Sequence, residues 1–439
     1  MSRNEVWEGR ATAAEQGGID AQLIRRRREV AEAWGTGDEV VLIGAGDPIS
    51  VPGRGDITYP FRAHSEYYYL TDRNRPGGVL AFDAQEGWLD FVAPVTESDR
   101  LWSGVPVGED EGLPMSGFTD WLATSTRPIA SLGASVPGVP CDAQRSAERR
   151  FGLSAVRRVK DPVELERMRT AERATSAAFA AVVPLLEKGN TERAVQIELE
   201  ATAFRRGADA MAFDTIVGSG TNSAVLHFPP SPRTLRTGEL VLIDAGAEVR
   251  GYASDITRTY AVGGELDTAQ AEIYSLVHAA QRAAIERCVA GTEWTDVHLT
   301  ASGVIARGLV DLGVLKGDPS ALIESGAVGL FFPHGVGHLL GLGARDAGGT
   351  LQDRSTSPRF PHLRIDLPLR PGFVVTVEPG IYFVPALLED PERRSRHRGE
   401  VAWDRVDQLL KFGGIRIEDD LLITSDGHEV LTQDVPVLD

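Results

Sequence analysis

Cysteine is scarce in this chain of 439 residues, which has only Cys141 and Cys288, far apart in sequence. Two distant cysteines form neither a disulfide framework nor a cysteine-based metal site, and their scarcity fits a reducing compartment. The first twenty residues lack the apolar stretch of a signal peptide. No apolar run approaches the ~20 residues that a membrane-spanning helix needs. These absences predict a cytoplasmic protein without a membrane partner.

Positive charge is also in short supply, because 45 Lys and Arg residues face 63 Asp and Glu residues, for a net charge of -18. Such a charge disfavours a nucleic-acid partner. The basic run at 25–28 is a local exception that a solvated helix face explains better than nucleic acid does. The proportions of hydrophobic residues, 42%, and charged residues, 25%, are those of an ordinary globular protein. The length predicts two domains.

Several common catalytic motifs are absent. The segment VLIGAGD contains a GxG, but the third glycine of the dinucleotide-binding spacing does not follow. Neither a phosphate-binding GxxxxGK[ST] nor a GxSxG nucleophile motif occurs. We therefore exclude a Rossmann-type cofactor site, a P-loop and a nucleophile elbow.

Short apolar runs cut by glycine and proline predict an N-terminal α/β domain over residues 1–156. A polar helix over 1–36 precedes the predicted strands VVLIGAG, GGVLAFD and WLDFVAP, with helices near 97–103 and 116–124. The segment 154–161 is the predicted linker to a second domain, residues 157–439.

The second domain is predicted to open on a helix, because Asp161, Pro162 and Glu164 fit an N-cap, a first-turn proline and a capping box. Further helices are predicted over 191–207, 268–290 and 295–312. The remainder, from 328, is predicted to be rich in strands, and its charged block at 384–411 is either a surface excursion or a cover for a cleft.

The stretch LVLIDAGAEVRGYASDITRT predicts a β-hairpin that carries Asp244 and Asp255. With the turn centred between Val249 and Arg250, the two aspartates face each other with Cβ atoms ~5 Å apart. Carboxylates so close repel unless a proton or a cation lies between them. A pair of divalent metals ~3.5–4 Å apart suits bridging oxygens. Taken alone, the pattern also fits two ordinary turn aspartates.

The segment FFPHGVGHLLGL carries His334 and His338, whose spacing places them on one side of a strand or of a helix. The intervening glycines argue against a helix, and the segment lacks the glutamate of the HExxH zinc motif. Its apolar neighbours predict a buried wall, where an unpaired imidazole is costly. A ligand or a firm hydrogen bond is therefore expected, although a glycine-rich loop with two histidines is a serious alternative.

Two glutamates occupy apolar strands near the end of the sequence. Glu378 ends FVVTVE directly before Pro-Gly, and a carboxylate buried there needs a partner, either an ion or a salt bridge. In GGIRIEDD, alternation places Arg416 and Glu418 on one face, so Arg416 can orient Glu418; an exposed Arg/Glu ladder fits equally well. Two further candidates, His227 and Arg364, taken alone, have a structural role and a surface charge as their simplest explanations.

Taken in order, five acidic and histidine residues resemble the ligand set of the pita-bread metallopeptidases, which include prolidase and aminopeptidase P: Asp244, Asp255, His338, Glu378 and Glu418. The matching blocks are GSGTNSAVLHF, DAGAEVRGYASDITRTY, HGVGHLLGL, TVEPGIYF and GGIRIEDD, over about 160–439. The stretch YPFRAHSEYYYLTDRNRPGGVLAFD is similar to the N-terminal domain of prolidase and aminopeptidase P. Methionine aminopeptidase has no such domain and is set aside.

The resemblance implies a two-domain α/β protein, with an N-terminal domain of the creatinase/prolidase type and a C-terminal pita-bread α+β catalytic domain. It implies that the five residues bind two divalent ions, for which Mn²⁺ is the best fit and Co²⁺ or Zn²⁺ remain alternatives. Glu378 would also be general base and then acid. His227 and His334 would bind the substrate and stabilise the intermediate, with Arg416 in support. The implied partners are a small Xaa-Pro peptide and a second copy in a homodimer.

Two features favour an Xaa-Pro dipeptidase. Glu378 and Glu418 lie 40 positions apart with a charged block between them, as in prolidase. Arg364 falls where prolidase carries an arginine for the dipeptide's terminal carboxylate, which a guanidinium binds with two hydrogen bonds. An aminopeptidase P acting on longer peptides, or a pita-bread protein that binds without catalysis, are the alternatives.

Two positions depart from the family pattern. Phe213 stands where the family usually has a tyrosine that hydrogen-bonds a ligand aspartate, and phenylalanine cannot donate. Arg345 stands where a second catalytic histidine is usual. An arginine cannot shuttle protons near neutral pH, but it can donate hydrogen bonds and carry charge, so we expect Arg345 to bind substrate.

Overall fold

The structure is a computed structural model that describes residues 13–35, 37–105, 111–348 and 362–438. It separates into two compact units, Met1–Arg157 and Arg158–Asp439. None of the described helices is long and apolar enough to span a membrane.

A mixed sheet forms the middle of the first unit. Within the described residues it has the order β4-β3-β2-β1-β5, in which β1 pairs antiparallel with β2 and parallel with β5. In chain order the elements are α1 (Ala13–Trp34), β1 (Val40–Gly44), α2 (Ser65–Thr71), β2 (Val79–Asp83), β3 (Gly87–Val92), α3 (Glu97–Ser103), β4 (Leu113–Pro114), α4 (Phe118–Ala123), β5 (Ile129–Gly133) and α5 (Ala143–Arg157).

The three predicted strands and the helices near 97–103 and 116–124 are confirmed. Most of the predicted first helix is α1, while 1–12 and 36 lie outside the described residues. The linker predicted from 154 is wrong at its start, since 154–157 form the last turn of α5. The helix continues there because Leu153 and Arg157 are buried, which anchors this end of α5.

The second unit opens on α6 as predicted. The Asp161 side chain accepts hydrogen bonds from the backbone of Val163 and Glu164, and the Glu164 carboxylate accepts one from the Asp161 backbone. The elements that follow are α6 (Pro162–Val182), α7 (Glu192–Arg205), β6 (Ala210–Met211), β7 (Ile216–Ser219), β8 (Leu240–Ala245), β9 (Ala247–Val249), β10 (Tyr252–Ala253), β11 (Ile256–Ala261), α8 (Thr268–Arg287), α9 (Trp294–Asp311), α10 (Pro319–Ser325), β12 (Val374–Val377), β13 (Gly380–Tyr382), α11 (Pro385–Leu388), α12 (Pro391–Arg396), α13 (Trp403–Leu409), β14 (Gly414–Arg416), β15 (Asp419–Ile423) and β16 (His428–Val430).

The predicted hairpin exists, but its predicted register is wrong. β8 and β11 pair antiparallel with Asp244 opposite Thr257, not opposite Asp255. The turn is centred one residue later than predicted, between Arg250 and Gly251, whose φ angles are 51° and 81°. Positive φ at both central residues is the requirement of a type I′ turn, the turn type whose twist matches that of the paired strands. Asp255 therefore lies diagonal to Asp244 on the same face, still within reach of shared ligands.

Among the described residues of the second unit, two large apolar cores pack against the strands. One is built from α6, α7 and residues such as Val241 and Ile243 of β8. The other is built from α8, α9 and strands β12 to β15. The charged block 384–411 is folded as α11 to α13, and its apolar residues Leu388, Val401 and Val406 are buried in the second core. The block is therefore packed against the unit rather than loosely attached.

Candidate metal and substrate site

Three of the five predicted ligands form a tight cluster. The ligand atoms of Asp255, His338 and Glu418 lie within 4.8 Å of one another, and all three side chains are buried. His338 Nε2 is 3.4 Å from Asp255 Oδ2 and 3.8 Å from Glu378 Oε1, so the fourth predicted ligand borders the same space. In this cluster, Asp255 comes from the hairpin, His338 from a loop, and Glu418 from the position directly before β15.

His338 is held by its backbone rather than by a strand of its own. Its N–H donates to Thr376 Oγ1 at 3.1 Å, and its carbonyl accepts from the Thr376 N–H at 2.9 Å. Gly337 permits this approach, because a Cβ there would lie 2.0 Å from the Thr376 carbonyl oxygen. The ring Nδ1 donates to the Leu339 carbonyl at 3.1 Å, which turns Nε2 toward the acids. In a metal-binding histidine, such a hydrogen bond from the other ring nitrogen fixes the tautomer and the orientation of the ring.

Nearby positive charge does not compensate for the burial and mutual repulsion of the carboxylates at this site. Burial and the neighbouring Asp255 and Glu378 raise the pKa of Glu418 well above its usual range. Burial raises the pKa of Asp244 to about 7, although Arg416 opposes the shift. Asp244 Oδ1 is buried without a hydrogen-bond partner in the part of the chain that the structure describes. Buried acids that destabilise one another's charge, with an unused oxygen among them, fit cations well.

Arg416 organises the floor of the site. Its Nη2 donates to Asp244 Oδ2 at 2.5 Å, and its Nε donates to Thr257 Oγ1 at 3.0 Å. The Thr257 hydroxyl in turn donates to Glu418 Oε2 at 2.6 Å. Arg416 was predicted to orient Glu418, but its Nε lies 4.0 Å from that carboxylate. Its close acidic partner is Asp244, and Thr257 carries the link to Glu418.

His334 and Tyr382 form a second hydrogen-bonded pair beside the acids. His334 Nδ1 donates to the Gly335 carbonyl at 2.8 Å, so Nε2 accepts from the Tyr382 hydroxyl at 2.9 Å. Arg416 Nη1 donates to the same hydroxyl at 3.0 Å. Burial, reinforced by Arg416, lowers the pKa of His334 to about 3, which keeps the ring neutral. Both ring nitrogens of His334 are thus engaged, and a substrate could bind one only by exchange.

A cavity of about 1010 Å³ opens above the cluster. All the residues singled out from the sequence line it: Phe213, His227, Asp244, Asp255, His334, His338, Arg345, Arg364, Glu378, Arg416 and Glu418. His227, Arg345 and Arg364 are exposed to this space. Burial lowers the pKa of His227, and the nearby Arg416, Arg345 and Arg364 lower it further. The cavity is therefore lined by both anionic and cationic side chains.

Sequence reasoning missed a pair of acids behind the cluster. Asp420 Oδ2 accepts the backbone N–H of Asp255 at 2.8 Å, and Glu172 of α6 lies beside Asp420. Burial raises the pKa of Glu172 to about 8, and burial together with Glu172 raises the pKa of Asp420 well above its usual range. Asp420 could have been noticed in the run IEDD, whereas Glu172 resembles any charged residue of an exposed helix face. Tyr382, in the quoted block TVEPGIYF, was overlooked as well.

The chain belongs to the metallopeptidase family M24, whose model matches residues 166–425. Residues 23–130 match the N-terminal domain of aminopeptidase P. The predicted family and two-domain fold class are thereby confirmed, whereas the predicted site residues were not tested by these matches.

Relatives and solved structures agree with this membership. The chain is 33% identical over 403 residues to a probable Xaa-Pro aminopeptidase of Aspergillus clavatus, covering 86% of each chain. It is 32% identical over 424 residues to one of Ajellomyces capsulatus, covering 91% of this chain and 90% of the other. Among solved structures, Pseudomonas aeruginosa aminopeptidase PepP matches with a TM-score of 0.78 and 28% identity, covering 95% of each chain. Zinc-substituted Escherichia coli aminopeptidase P in complex with product matches with a TM-score of 0.78 and 29% identity, covering 95% of this chain and 96% of the other.

Proposed function

We propose that this protein is a metal-dependent Xaa-Pro aminopeptidase, which removes the residue before a proline from the start of a peptide. The observation that carries the proposal is the buried cluster of Asp255, His338 and Glu418, whose ligand atoms lie within 4.8 Å of one another at the floor of the cavity. The names of the relatives support the aminopeptidase class over the dipeptidase that the sequence favoured.

In this proposal, five side chains would hold two divalent ions: Asp244, Asp255, His338, Glu378 and Glu418. Their oxygens and single imidazole suit Mn²⁺, with Co²⁺ and Zn²⁺ as alternatives. Bound ions of this kind lower the pKa of a coordinated water and polarise the scissile carbonyl. Cytoplasmic location and homodimer formation remain predictions from the sequence.

The chain's own groups then divide the remaining work. Burial raises the pKa of Glu378, a shift that His338 and Arg416 oppose, so the carboxylate can accept a proton from the attacking water. Glu378 would pass that proton to the prolyl nitrogen as it leaves. His227, exposed to the cavity, would donate to the developing oxyanion or to the substrate. His334 holds the Tyr382 hydroxyl beside Arg416, so its predicted contact with substrate requires exchange of that bond.

An Xaa-Pro dipeptidase is the second candidate, and Arg364 favours it. This guanidinium lines the cavity and is exposed to it, where it could bind the terminal carboxylate of a dipeptide. The 40 positions between Glu378 and Glu418 favour the same class through the resemblance to prolidase.

A direct assay tests the proposal. Purified protein is loaded with Mn²⁺, and its kcat/KM is measured for Ala-Pro-Ala beside Ala-Pro, with a chelated sample as control. We expect metal-dependent hydrolysis with preference for the tripeptide. Strong preference for Ala-Pro would move the assignment to the dipeptidase. A loaded protein that cleaves neither peptide would favour binding without catalysis.

A further inference from the structure

A fully buried ion pair lies behind the cavity wall. Lys160 Nζ is 2.9 Å from Asp346 Oδ2, and their side chains are 0% and 1% exposed. Charges buried this deeply are costly unless their geometry is good, and breaking such a pair from one side leaves an uncompensated charge. Gly341 makes room for the pair, because a Cβ there would lie 2.4 Å from Asp346 Oδ2 and 2.6 Å from Lys160 Cε. Neither charge takes part in the proposed chemistry.

The lysine side of the pair is itself anchored. The Lys160 backbone N–H donates to the Gly372 carbonyl at 2.8 Å, and Nζ donates to the Arg158 carbonyl at 3.3 Å. Arg158 Nε donates to the carbonyls of Ala347 and Gly348, both at 3.2 Å. The segment 346–348 is thus held from one side by two cationic residues that are two positions apart.

The aspartate side leads toward the site. The Asp346 N–H donates to the Leu339 carbonyl at 3.1 Å, and the same oxygen accepts from His338 Nδ1 at 3.1 Å. Arg345 precedes Asp346, and its side chain lines the cavity while that of Asp346 is buried. Among the described residues Arg345 has no ion pair or hydrogen bond, although its charge acts on Glu378 and His227. The guanidinium is therefore available to a ligand.

We propose that Lys160 is a positioning residue that, through Asp346, fixes Arg345 so that its guanidinium binds the anionic C-terminal end of the substrate. The inference rests on the proposed function, since it concerns a peptide in the same cavity. Arg345 is this chain's departure from the usual histidine, and a guanidinium pairs with carboxylate at fixed geometry. A shift of the backbone at 345–346 would move the Arg345 guanidinium out of that geometry while leaving the acids of the cluster in place.

The test compares Lys160→Met, Arg345→Gln and the double variant, with exposed Lys188→Met as the matched control. Two readouts are taken: KM and kcat for Ala-Pro-Ala and its C-terminal amide, and calorimetric Kd for Pro-Ala and its amide on metal-loaded protein. For the peptides with a free C-terminal carboxylate, we expect Lys160→Met to raise KM and Kd about tenfold, as for one lost charge-assisted contact. For the peptide amides, we expect a rise of less than twofold. The double variant should bind these peptides no more weakly than Arg345→Gln alone, because each of the two changes removes the same contact.

The proposal would be overturned if Lys160→Met weakened binding of the free peptides and of their amides equally. Additive effects on KM and Kd in the double variant would overturn it as well. If Lys160→Met does not fold, Lys160→Met combined with Asp346→Leu removes both charges, a replacement that buried ion pairs often tolerate. It should show the same selective loss. The calorimetric arm separates the two claims: selective weakening in a protein that cleaves no peptide would keep the positioning role and remove the proposed function.

Discussion

Arg416 and Asp244 form the shortest charge-assisted contact at the floor of the site, with Nη2 donating to Oδ2 at 2.5 Å and both side chains buried. Removing the guanidinium would leave a buried carboxylate without its counter-charge, which costs about 3–5 kcal/mol. We therefore expect Arg416→Gln to lower the metal-free unfolding free energy by that order in urea titrations. Exposed Arg398→Gln serves as control and should change it by less than about 0.5 kcal/mol. Equal, small effects would mean that the contact is not formed.

Asp255 is expected to be essential for metal and activity together. Its carboxylate borders both His338 and Glu418, so Asp255→Asn removes a charge from the centre of the proposed site. We expect loss of bound metal by elemental analysis and at least a hundredfold loss of kcat/KM. Asp214→Asn, an exposed aspartate lining the same cavity, is the control and should keep both. A variant at 255 that retains full metal and activity would contradict the assignment.

Arg364 tests how the substrate's length is measured. If its guanidinium binds the carboxylate of a dipeptide, Arg364→Gln should raise KM for Ala-Pro about tenfold and change KM for Ala-Pro-Ala much less. Steady-state kinetics on both peptides at fixed Mn²⁺ give the comparison. A parallel rise for both peptides would show that Arg364 does not distinguish their lengths.

Gly337 is predicted to tolerate no side chain. A Cβ would lie 2.0 Å from the Thr376 carbonyl oxygen, so Gly337→Ala must separate the His338 segment from β12. We expect a loss of about 1–3 kcal/mol in unfolding free energy and weaker metal binding, measured by urea titration and metal competition. Gly399→Ala meets nothing within 4 Å and is the control. Wild-type metal affinity in the 337 variant would show that this approach does not hold the ligand.

His298 provides a pH test away from the acids. Burial lowers the pKa of His298 to about 4 in the folded state, from 6.5 in the unfolded chain. At a pH below 6.5 the folded state therefore binds fewer protons than the unfolded chain. Stability should therefore fall as pH drops from 6.5 toward 4, by up to about 3 kcal/mol. His298→Gln should flatten the fall between pH 7 and pH 5 in urea titrations, and exposed His278→Gln should not. Identical pH profiles for wild type and His298→Gln would refute the explanation.

Local chemistry made part of this fold predictable from sequence. The start of α6 follows from neighbouring residues, because Asp161 and Glu164 satisfy each other's backbone donors within one turn. The hairpin was predictable as an element, but its register was not. Arg250 adopts positive φ, which an arginine rarely does, so nothing in its identity marks it as a turn centre.

Contacts between distant residues limited what could be predicted of the site. The ligand candidates were found through a family resemblance, while their supports depend on pairings that no local pattern encodes. Thr257 bridges Arg416 and Glu418, and Glu172 reaches Asp420 from another element. Alternation along a strand showed which side Arg416 occupies, yet not that Asp244 would be its neighbour there.

The Thr257–Glu418 hydrogen bond joins positions 161 residues apart, so this part of the site cannot form until distant segments of the chain have met during folding. In the proposed two-ion site, a chain that has closed only its local hairpin would bring together Asp244 and Asp255 but not His338, Glu378 and Glu418. Distant strands arrive late in folding because their loops are long. We therefore expect ion binding at the proposed site during refolding to report contacts between distant strands and not closure of the local hairpin.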